Sequence, residues 1–408
     1  MPFPPDFLWG SATSAHQVEG NNTSSDWWAW EQEGRVPFKS GLACDHFNRY
    51  DEDFDLARDF GQNAHRFSIE WARIEPQEGC FSDEAIRHYT QVIASLRRRG
   101  LEPFVTLHHF TNPKWFQERG GWVHRRAPFF FKRYAAQMAQ SFKGQVRFWI
   151  TINEPLVYVY QSYLARIWPA DQVGIRAALS ALFHFEEAHR AAFDLLHQVQ
   201  MKGGGGESVQ VGVAQAIRLS SPCKESWLPD RAASYLRDYA FNTLFLDRLT
   251  RRRALDFIGI NYYTRDFVHW GGKGLLSLFG EVCPNAHAHT RTPRSALGWE
   301  VYPEGLYKTL LRLKKYHLPL YVTENGFATD DDAEREEFIK DHLTSVRRAL
   351  EAGTPVKGYF YWSLLDNFEW AEGTRPRFGL VEVDFQSLRR AARPSARRLR
   401  EIILTEIG

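Results

Sequence analysis

Two glutamates, Glu154 and Glu324, stand directly after apolar, strand-like runs of the chain. Glu154 ends the run Thr151-Ile152-Asn153-Glu154, and Glu324 ends the run Tyr321-Val322-Thr323-Glu324. A carboxylate in such a place costs free energy unless it is paired or hydrogen-bonded, so neither position suits a residue that serves solubility alone. Two carboxylates that flank one bond are the groups that hydrolyse a glycosidic linkage.

That reaction would require the two glutamates to differ in proton affinity. The group that protonates the leaving oxygen needs a raised pKa, and the group that attacks must stay ionised beside a cation or hydrogen-bond donors. Arg66, within the second strand candidate, and Tyr263, after the sixth, are candidates for the cation and the donor.

Eight short apolar runs, with amphipathic helical stretches between them, would position these side chains. One helical face consists of Ile86, Tyr89, Ile93 and Leu96 and is followed by Gly100, a residue type that ends helices. Strands that alternate with helices form parallel sheets, and eight such units favour a closed barrel. The sequence therefore predicts an α/β fold, a single (β/α)8 TIM barrel that occupies residues 1–408 as one catalytic domain. The strand candidates are residues 7–12, 63–69, 101–107, 146–152, 209–214, 254–260, 319–323 and 356–362.

Polar and aromatic residues lie within or follow most of these strand candidates. The active site of such a barrel lies at the C-terminal ends of its strands, so these residues would meet at one rim. Residues with purely structural roles would be scattered or would cap helices. In chain order the rim candidates are Gln17, Arg66, His108, His109, Asn153, Glu154, Asn261, Tyr262, Tyr263, Glu324, Asn325, Trp362, Asp366, Asn367, Glu369 and Trp370.

The composition is ordinary for a globular protein and gives no sign of a polyanionic partner. Of 408 residues, 44% are hydrophobic and 25% are charged, and the formal net charge is +2, so neither nucleic acid nor a membrane is an expected partner. An arginine cluster near the C-terminus has two interpretations, a nucleic-acid patch or the solvated face of a last helix, and we favour the second. The cluster consists of Arg389, Arg390, Arg393, Arg397, Arg398 and Arg400.

We recognise no motif for a cofactor or a metal. Cys44, Cys80, Cys223 and Cys283 are far apart in the chain and form no pair with metal-ligand spacing. The glycine run at residues 203–206 lacks the Lys-Ser or Lys-Thr of a phosphate loop. The N-terminus does not have the pattern of a signal peptide, and no apolar run is long enough to cross a bilayer. We expect a cytoplasmic protein with reduced thiols and with neither metal nor cofactor.

The motifs that carry the rim residues resemble those of glycoside hydrolase family 1, the β-glucosidase family, nearly from end to end. One such motif would be moderate evidence, and this many motifs in order and at barrel-strand spacing make the resemblance very specific. The motifs are FLWGSATSAHQVEG at 7–20, RFSIEWARI at 66–74, LHHF at 107–110, NEP at 153–155, NYY at 261–263, TENG at 323–326, WSLLDNFEW at 362–370 and RFGL at 377–380.

The resemblance implies a role for each matching residue. Glu154 resembles the family's acid/base and Glu324 its nucleophile, with Arg66 and Tyr263 keeping Glu324 ionised and aimed. Asn153 would hold the 2-hydroxyl of the sugar. The positions that would contact the rest of the glycone are Gln17, His109, Glu369 with Trp370 beside it, Trp362 as the floor and Phe378 against the outer part.

Other residues are interpreted as structural or depart from the family pattern. His108 is interpreted as a packed, hydrogen-bonded histidine, and Glu19 and Glu75 as structural or rim charges. Phe110 stands where the family usually has Trp, and Thr374 stands where Tyr is common. The segment at 166–170 and the region between Ser220 and Asp256 also depart from the family pattern, and because they would form the outer cleft they leave the preference for a leaving group open.

The function implied by the resemblance is that of a retaining β-glycosidase acting on terminal non-reducing β-D-glucosyl residues of small glycosides or oligosaccharides. Galactosyl, fucosyl and mannosyl residues stay open as alternatives, and transglycosylation would follow if a sugar replaced water. Carboxyl groups about 5–5.5 Å apart would give retention through a covalent intermediate, and roughly 6.5–9.5 Å would give inversion. Glu369 and Trp370 favour unphosphorylated sugars, and the presence of Glu154 favours O-glycosides. A non-catalytic sugar-binding barrel is the rival hypothesis, and the oligomeric state is left open.

Overall fold

The structure, a computed structural model, describes residues 2–201, 208–271, 274–284 and 288–407. Eight parallel strands with helices between them close into the predicted barrel, in which each strand pairs with the next and the last pairs with the first. The glycine run at 203–206 lies outside the described residues. The barrel strands are β1 (Leu8–Ala12), β2 (Ala64–Ser68), β3 (Glu102–His108), β4 (Phe148–Asn153), β5 (Gln210–Pro222), β6 (Phe257–His269), β7 (Leu320–Asn325) and β8 (Val356–Trp362).

Helices connect the strands on the outside of the barrel. The longer helices are α1 (His46–Asp59), α2 (Asp83–Arg98), α3 (Ala127–Ser141), α4 (Ile175–Met201), α5 (Leu228–Asp238), α6 (Leu244–Arg251), α7 (Pro303–Leu313), α8 (Asp332–Glu351) and α9 (Pro394–Ile407). Short helical segments occupy Ala15–Val18, Asp26–Gln32, Trp71–Ile74, Lys114–Glu118, Gly121–Val123, Pro155–Val159, Tyr160–Leu164, Tyr239–Thr243, Gly274–Phe279, Lys314–Tyr316 and Trp370–Glu372.

Helix α2 shows how local sequence sets the bounds of an element. The Ser82 hydroxyl accepts a hydrogen bond from the backbone N–H of Ala85, which caps the first turn. Acidic residues lie in that first turn and arginines in the last, as the helix dipole favours. Beyond the helix, Gly100 has a φ of +70°, a backbone conformation that glycine adopts without strain. Three of the four predicted face residues are buried, and Ile86 is half-buried.

Large aromatic side chains fill the N-terminal half of the barrel and leave the opposite end for chemistry. The ring centroid of Phe104 lies 4.8 Å from that of Phe148, 5.3 Å from that of Tyr321 and 5.1 Å from that of Phe360. A Cβ on Gly10 would come within 2.6 Å of the Phe360 ring, so only glycine allows the backbone of β1 to lie this close to these aromatic side chains. Because these aromatic side chains fill its interior, the barrel is a packed core and not a pore.

Strands β5 and β6 are longer than the sequence predicted. The candidates at 209–214 and 254–260 are in fact Gln210–Pro222 and Phe257–His269, and the two strands stay paired as far as Pro222 and Val268. A two-residue strand, Glu281–Val282, adds antiparallel to the far edge of β6. In the extension of β5 the side chains are half-exposed, so no apolar periodicity marked it in the sequence, although backbone pairing with β6 sustains it.

The C-terminal arginines are divided between elements instead of sharing one helical face. Arg390 lies in a hairpin formed by Val381–Val383 and Arg390–Ala392, ahead of α9. The Arg390 Nε donates to Asp53 Oδ1 over 2.9 Å, and the Arg393 Nη2 donates to Asp366 Oδ2 over 2.8 Å. The prediction of a solvated face is therefore wrong for Arg390 and Arg393, whose charges are neutralised within the fold.

Candidate active site

Glu324 ends β7 with both oxygens of its carboxylate held by donors. The Arg66 Nη1, reaching across from β2, donates to Glu324 Oε1 over 2.5 Å, and the Tyr263 hydroxyl from β6 donates to Oε2 over 2.6 Å. Arg66 also donates to the backbone carbonyl of Thr323 over 3.1 Å, which aligns the guanidinium with the end of the strand. The side chain of Glu324 is buried, so these bonds stabilise its ionised form strongly.

Glu154 follows β4 in a strained backbone conformation. Its φ of +46° and ψ of +59° lie in the left-handed region, which a residue with a Cβ occupies at a cost of about 1–2 kcal/mol. The backbone N–H donates to the carbonyl of Ala214 over 2.8 Å, and Pro155 begins a short helix directly afterwards. The conformation lets the side chain reach Asn261, whose Nδ2 donates to Glu154 Oε1 over 2.7 Å. Strain of this kind persists where the surrounding structure enforces it.

The surroundings of the two carboxylates give them different proton affinities. Burial, reinforced by the charge of Glu324, raises the pKa of Glu154 to about 8. Burial raises the pKa of Glu324 too, but the Arg66 charge and the donors on both oxygens oppose that rise. Glu154 is therefore the member of the pair that keeps a proton at neutral pH.

Asn153 and Asn261 connect the two carboxylates through a shared network. The Oδ1 of Asn153 accepts from Arg66 Nη2 over 2.6 Å and from Asn261 Nδ2 over 3.1 Å. With Oδ1 occupied, the Nδ2 of Asn153 faces the His109 Nε2 at 3.3 Å. Sequence reasoning placed Asn261 at the rim but gave it no role. Its position directly after the strand candidate at 254–260, two residues before Tyr263, was the signal available in the sequence.

His109, Trp362 and Trp370 form an aromatic wall beside this network. The His109 ring lies nearly parallel to both indoles, with centroids 5.9 Å from Trp362 and 6.3 Å from Trp370. Burial, together with the nearby Arg66 charge, holds the pKa of His109 well below its usual range, so the ring is neutral. The Trp362 Nε1 donates to Glu369 Oε1 over 3.1 Å, and burial raises the pKa of Glu369 to about 8.

Gln17 lies at the same rim, where its amide is already engaged. The Nε2 donates to Asn367 Oδ1 and to the carbonyl of Phe368, each over 3.0 Å, and Oε1 accepts from the Ser14 hydroxyl over 2.6 Å. A further partner would therefore bind at the remaining lone pair of Oε1.

Phe110 fills the place beyond His109 that the family usually gives to Trp. Its φ is +73°, and its ring lies 4.6 Å from Trp168 and 5.4 Å from Trp370 between centroids. Trp168 belongs to the segment at 166–170 in which the chain departs from the family pattern. Phe110 and Trp168 pack together, so the two places where the sequence departs from the family pattern are neighbours in the structure.

A second group of aromatic rings beside the carboxylates contains Phe378, Tyr263 and a residue that the sequence analysis missed. The ring of Trp299 lies 5.4 Å from that of Tyr263 and 6.4 Å from that of Phe378. Arg218, from the extension of β5, places its guanidinium carbon 5.3 Å from the Trp299 ring centroid. Trp299 lies between β6 and α7, where no strand or helix signal drew attention to it.

Three residues that we interpreted as structural make contacts away from the carboxylate pair. His108 pairs with Asn112 Oδ1 over 3.1 Å, with burial lowering its pKa to about 3. Glu19 accepts from Arg73 Nε and from the Tyr89 hydroxyl, both over 2.8 Å. Glu75 is fully buried and accepts from Trp71 Nε1 over 2.9 Å.

A (β/α)8 barrel with two buried carboxylates at its C-terminal rim is typical of glycoside hydrolases. The family model described as Glycosyl hydrolase family 1 matches residues 1–252 and 246–407. A β-galactosidase of Pyrococcus woesei is 31% identical over 98% of this chain and 97% of its own length. The chain therefore belongs to glycosyl hydrolase family 1, as its motifs indicated.

Solved structures agree with this membership. A β-glycosidase from Pyrococcus horikoshii is 40% identical, with a TM-score of 0.92 over 100% of this chain and 96% of that one. A β-glucosidase from Thermotoga maritima in complex with deoxynojirimycin is 30% identical, with a TM-score of 0.90 over 100% of this chain and 99% of that one. The prediction of a β-glucosidase-type glycoside hydrolase is confirmed. None of the described helices is long and apolar enough to span a membrane.

Proposed function

We propose that this chain is a retaining β-glycosidase in which Glu324 is the nucleophile and Glu154 the acid/base. The observation that carries the proposal is the difference between the two carboxylates. Arg66 and Tyr263 donate to both oxygens of Glu324, whereas Glu154 accepts from the neutral Asn261 and has a pKa raised to about 8. An ionised attacking group beside a protonated acid is the starting state that retention requires. A carboxyl separation of about 5–5.5 Å is part of the proposal.

In the first step, the Glu324 carboxylate attacks the anomeric carbon while Glu154 gives its proton to the glycosidic oxygen. The bond from the anomeric carbon to the leaving oxygen breaks as the bond to Glu324 forms, and the configuration inverts. Asn153 would assist by donating from Nδ2 to the 2-hydroxyl, because Arg66 and Asn261 already occupy its Oδ1.

In the second step, Glu154 is ionised and takes a proton from a water molecule. The water oxygen bonds to the anomeric carbon, the bond to Glu324 breaks, and the second inversion restores the β configuration. A sugar hydroxyl in place of the water would give transglycosylation. The reaction as proposed uses neither a metal nor a cofactor.

We assign the glycone to the space between the aromatic wall and Phe378. His109, Glu369 and the free lone pair of Gln17 would bind hydroxyl groups, and Trp362 and Trp370 would offer apolar faces to the sugar. The terminal non-reducing β-D-glucosyl residue is the proposed glycone, with galactosyl and fucosyl residues as alternatives. The Thermotoga maritima relative with bound deoxynojirimycin supports a small sugar as the ligand.

A trapping experiment tests the covalent intermediate. Incubation with an activated 2-deoxy-2-fluoro-β-glucoside should add one fluoroglucosyl group, and peptide mapping should find it on Glu324. Proton NMR of early hydrolysis products should show the β anomer first. Early appearance of the α anomer would mean inversion and would contradict the assignment of Glu324.

A panel of aryl glycosides tests the substrate. We expect the β-glucoside to have the highest kcat/KM among the β-glucoside, galactoside, fucoside and mannoside. The 6-phospho-β-glucoside should be poor, because the buried Glu369 and the bulky Trp370 offer a phosphate neither a cation nor space. If the aryl group is nitrophenyl, release of nitrophenolate also excludes the rival hypothesis of a non-catalytic sugar-binding barrel, because such a protein would release none.

We also propose that residues 1–408 form one catalytic domain and that the protein is cytoplasmic. The pairing of β1 with β8 supports a single domain, because it makes the two ends of the chain depend on one another for a closed sheet. A single cooperative unfolding transition, reported alike by fluorescence and by loss of activity, is the expected result.

A further inference from the structure

Three side chains that bind metals well meet where the extension of β5 and β6 ends. Cys223 directly follows β5, His269 is the last residue of β6, and Cys283 directly follows the short strand Glu281–Val282. The ligand atoms of these three residues all lie within 4.8 Å of one another. Among the described residues this is the only group of three or more Cys, His or acidic side chains that meets that distance.

Backbone pairing on both sides of β6 brings the two cysteines together. The Cys223 N–H donates to the carbonyl of Val268 over 2.8 Å, and the Cys283 N–H donates to the carbonyl of Phe267 over 2.7 Å. The two thiols are thus fixed relative to His269 by main-chain hydrogen bonds. Their spacing in the sequence gave no sign of this, because the pair is created by strand register.

His289 lies outside this group of three but next to one of its two thiols. Its Nε2 lies 3.4 Å from Cys283 Sγ. Zinc bonds of about 2.3 Å to sulfur and about 2.0–2.1 Å to nitrogen place the sulfur and nitrogen atoms of a tetrahedral site roughly 3.5 Å apart. The His289 ring is stacked on Phe267, with centroids 4.5 Å apart and planes 20° apart, which holds its orientation.

His269 has the surroundings of a histidine prepared for a ligand. Its Nδ1 is buried and has no hydrogen-bond partner among the described residues. Its Nε2 lies 3.9 Å from the carboxylate of Glu281. A metal-bound histidine commonly presents one nitrogen to the ion and directs the other to a carboxylate.

We propose that Cys223, His269 and Cys283 bind a zinc-like divalent ion, and that the adjacent His289 turns in to complete its tetrahedral coordination when the ion is bound. Two thiolates and two neutral imidazoles are the donors that structural zinc sites use, and the two thiolates neutralise the charge of the ion. The site crosslinks β5, β6 and the segment after Glu281–Val282. It is structural, since with His289 bound protein side chains would fill all four positions, and since His269 is six residues of extended chain, about 20 Å, beyond Tyr263.

A disulfide between Cys223 and Cys283 is the competing use of the same thiols. Both cysteines are free in the structure, and a disulfide would leave the two histidines and the buried Nδ1 of His269 without a purpose. The metal site accounts for all four side chains.

Metal binding to the full chain tests the proposal. The protein is stripped with a chelator, reduced, and dialysed against Zn²⁺ or Co²⁺ before elemental analysis. We expect about one ion per chain, and for Co²⁺ the intense visible bands of a tetrahedral site with thiolate-to-cobalt charge transfer. The variants Cys223→Ser and Cys283→Ser should lose the stoichiometric ion and the charge-transfer band. Cys80→Ser, which removes an exposed thiol elsewhere, should keep both.

The expected result includes a melting temperature that rises with added Zn²⁺ in the wild type and in Cys80→Ser but not in Cys283→Ser. Less than a tenth of an ion per reduced chain would overturn the proposal, as would equal binding by Cys283→Ser and the wild type. A pale octahedral cobalt spectrum without charge transfer would overturn it even if the serine variants failed to fold. The proposal would also be overturned if the protein as purified contained a Cys223–Cys283 disulfide and no bound metal.

Discussion

The guanidinium of Arg66 donates to the carboxylate of Glu324 over 2.5 Å, and only 1% and 5% of the two side chains are exposed. The two residues are 258 positions apart and are joined across the barrel from β2 to β7. In so little water, the cation favours ionised Glu324 far more than it would at the surface. Changes at either residue should therefore alter catalysis.

Arg66→Lys should lower kcat and move the acidic limb of the pH profile to higher pH. Lysine keeps a charge but cannot donate to Glu324, Thr323 and Asn153 together, so ionised Glu324 loses stabilisation and its pKa rises. We expect a roughly 10–100-fold loss of kcat/KM and a higher pH for half-maximal activity on that limb. Arg398→Lys at a surface pair is the matched control. An unmoved acidic limb would argue against Arg66 as the group that keeps Glu324 ionised.

Glu324→Ala should abolish turnover while leaving the fold intact. Loss of a covalent nucleophile costs about 10⁴-fold or more in kcat. Added azide should restore cleavage of an activated aryl β-glucoside and give the α-glycosyl azide, because the small anion attacks from the vacated side. Glu337→Ala, at a glutamate whose side chain is 62% exposed, should behave as the wild type. Near-normal turnover of Glu324→Ala would refute the nucleophile assignment.

Glu154→Ala should discriminate between leaving groups. A dinitrophenolate leaves without a proton, so its glycoside should still form the glycosyl-enzyme, whereas alkyl glycosides should lose about 10²–10⁴-fold in kcat/KM. Azide should here yield the β-glycosyl azide, since it replaces the water in the second step. The measurement is kcat/KM across leaving groups of graded acidity. The same loss for all of them would mean that Glu154 is not the acid.

Asn261→Ala should move the basic limb of the kcat/KM profile upward. The basic limb reports loss of the Glu154 proton, and burial places that pKa at about 8. Asn261 donates to Glu154 Oε1 over 2.7 Å and so favours the ionised form, which means that its removal raises the pKa further. Asn48→Ala, which breaks an exposed bond to Asp45, is the control. A basic limb that moves downward would contradict this role of Asn261.

Arg390→Met should destabilise the protein, whereas Arg398→Met should not. Arg390 and Asp53 form an ion pair with 2% and 0% of their side chains exposed, and removing one partner of such a pair costs about 3–5 kcal/mol. The exposed pair of Arg398 with Glu401 contributes about 1 kcal/mol or less. Urea unfolding gives both free energies. Equal stability of the two variants would contradict the structural role of Arg390.

The same pair predicts a pH dependence of stability. Burial alone would raise the pKa of Asp53, but hydrogen bonds from His46 and Arg390 bring it below its ordinary value. A carboxyl with a depressed folded-state pKa stabilises fully above its unfolded pKa of about 3.9, and that stabilisation is lost as the pH falls through the folded value. In Asp53→Asn this acid-dependent part of the unfolding free energy should be absent.

The barrel and the rim could be predicted from the sequence because their signals are local. Apolar runs alternate with amphipathic stretches, and the C-terminal ends of parallel strands meet at one rim whatever their order in the chain. Glu154 and Glu324 each follow such a run, so their meeting required no knowledge of side-chain packing. The spacing of Tyr89, Ile93 and Leu96 likewise predicted the buried face of α2.

The tertiary structure decided which rim residues touch and where the strands end. Asn261 reaches Glu154 from 107 residues away, β5 and β6 continue past the barrel, and Cys223 meets Cys283 across β6. These contacts depend on strand register, which is set by main-chain hydrogen bonds that are the same for every side chain. Local sequence patterns therefore carry little information about them, whereas the assembled sheet determines each one.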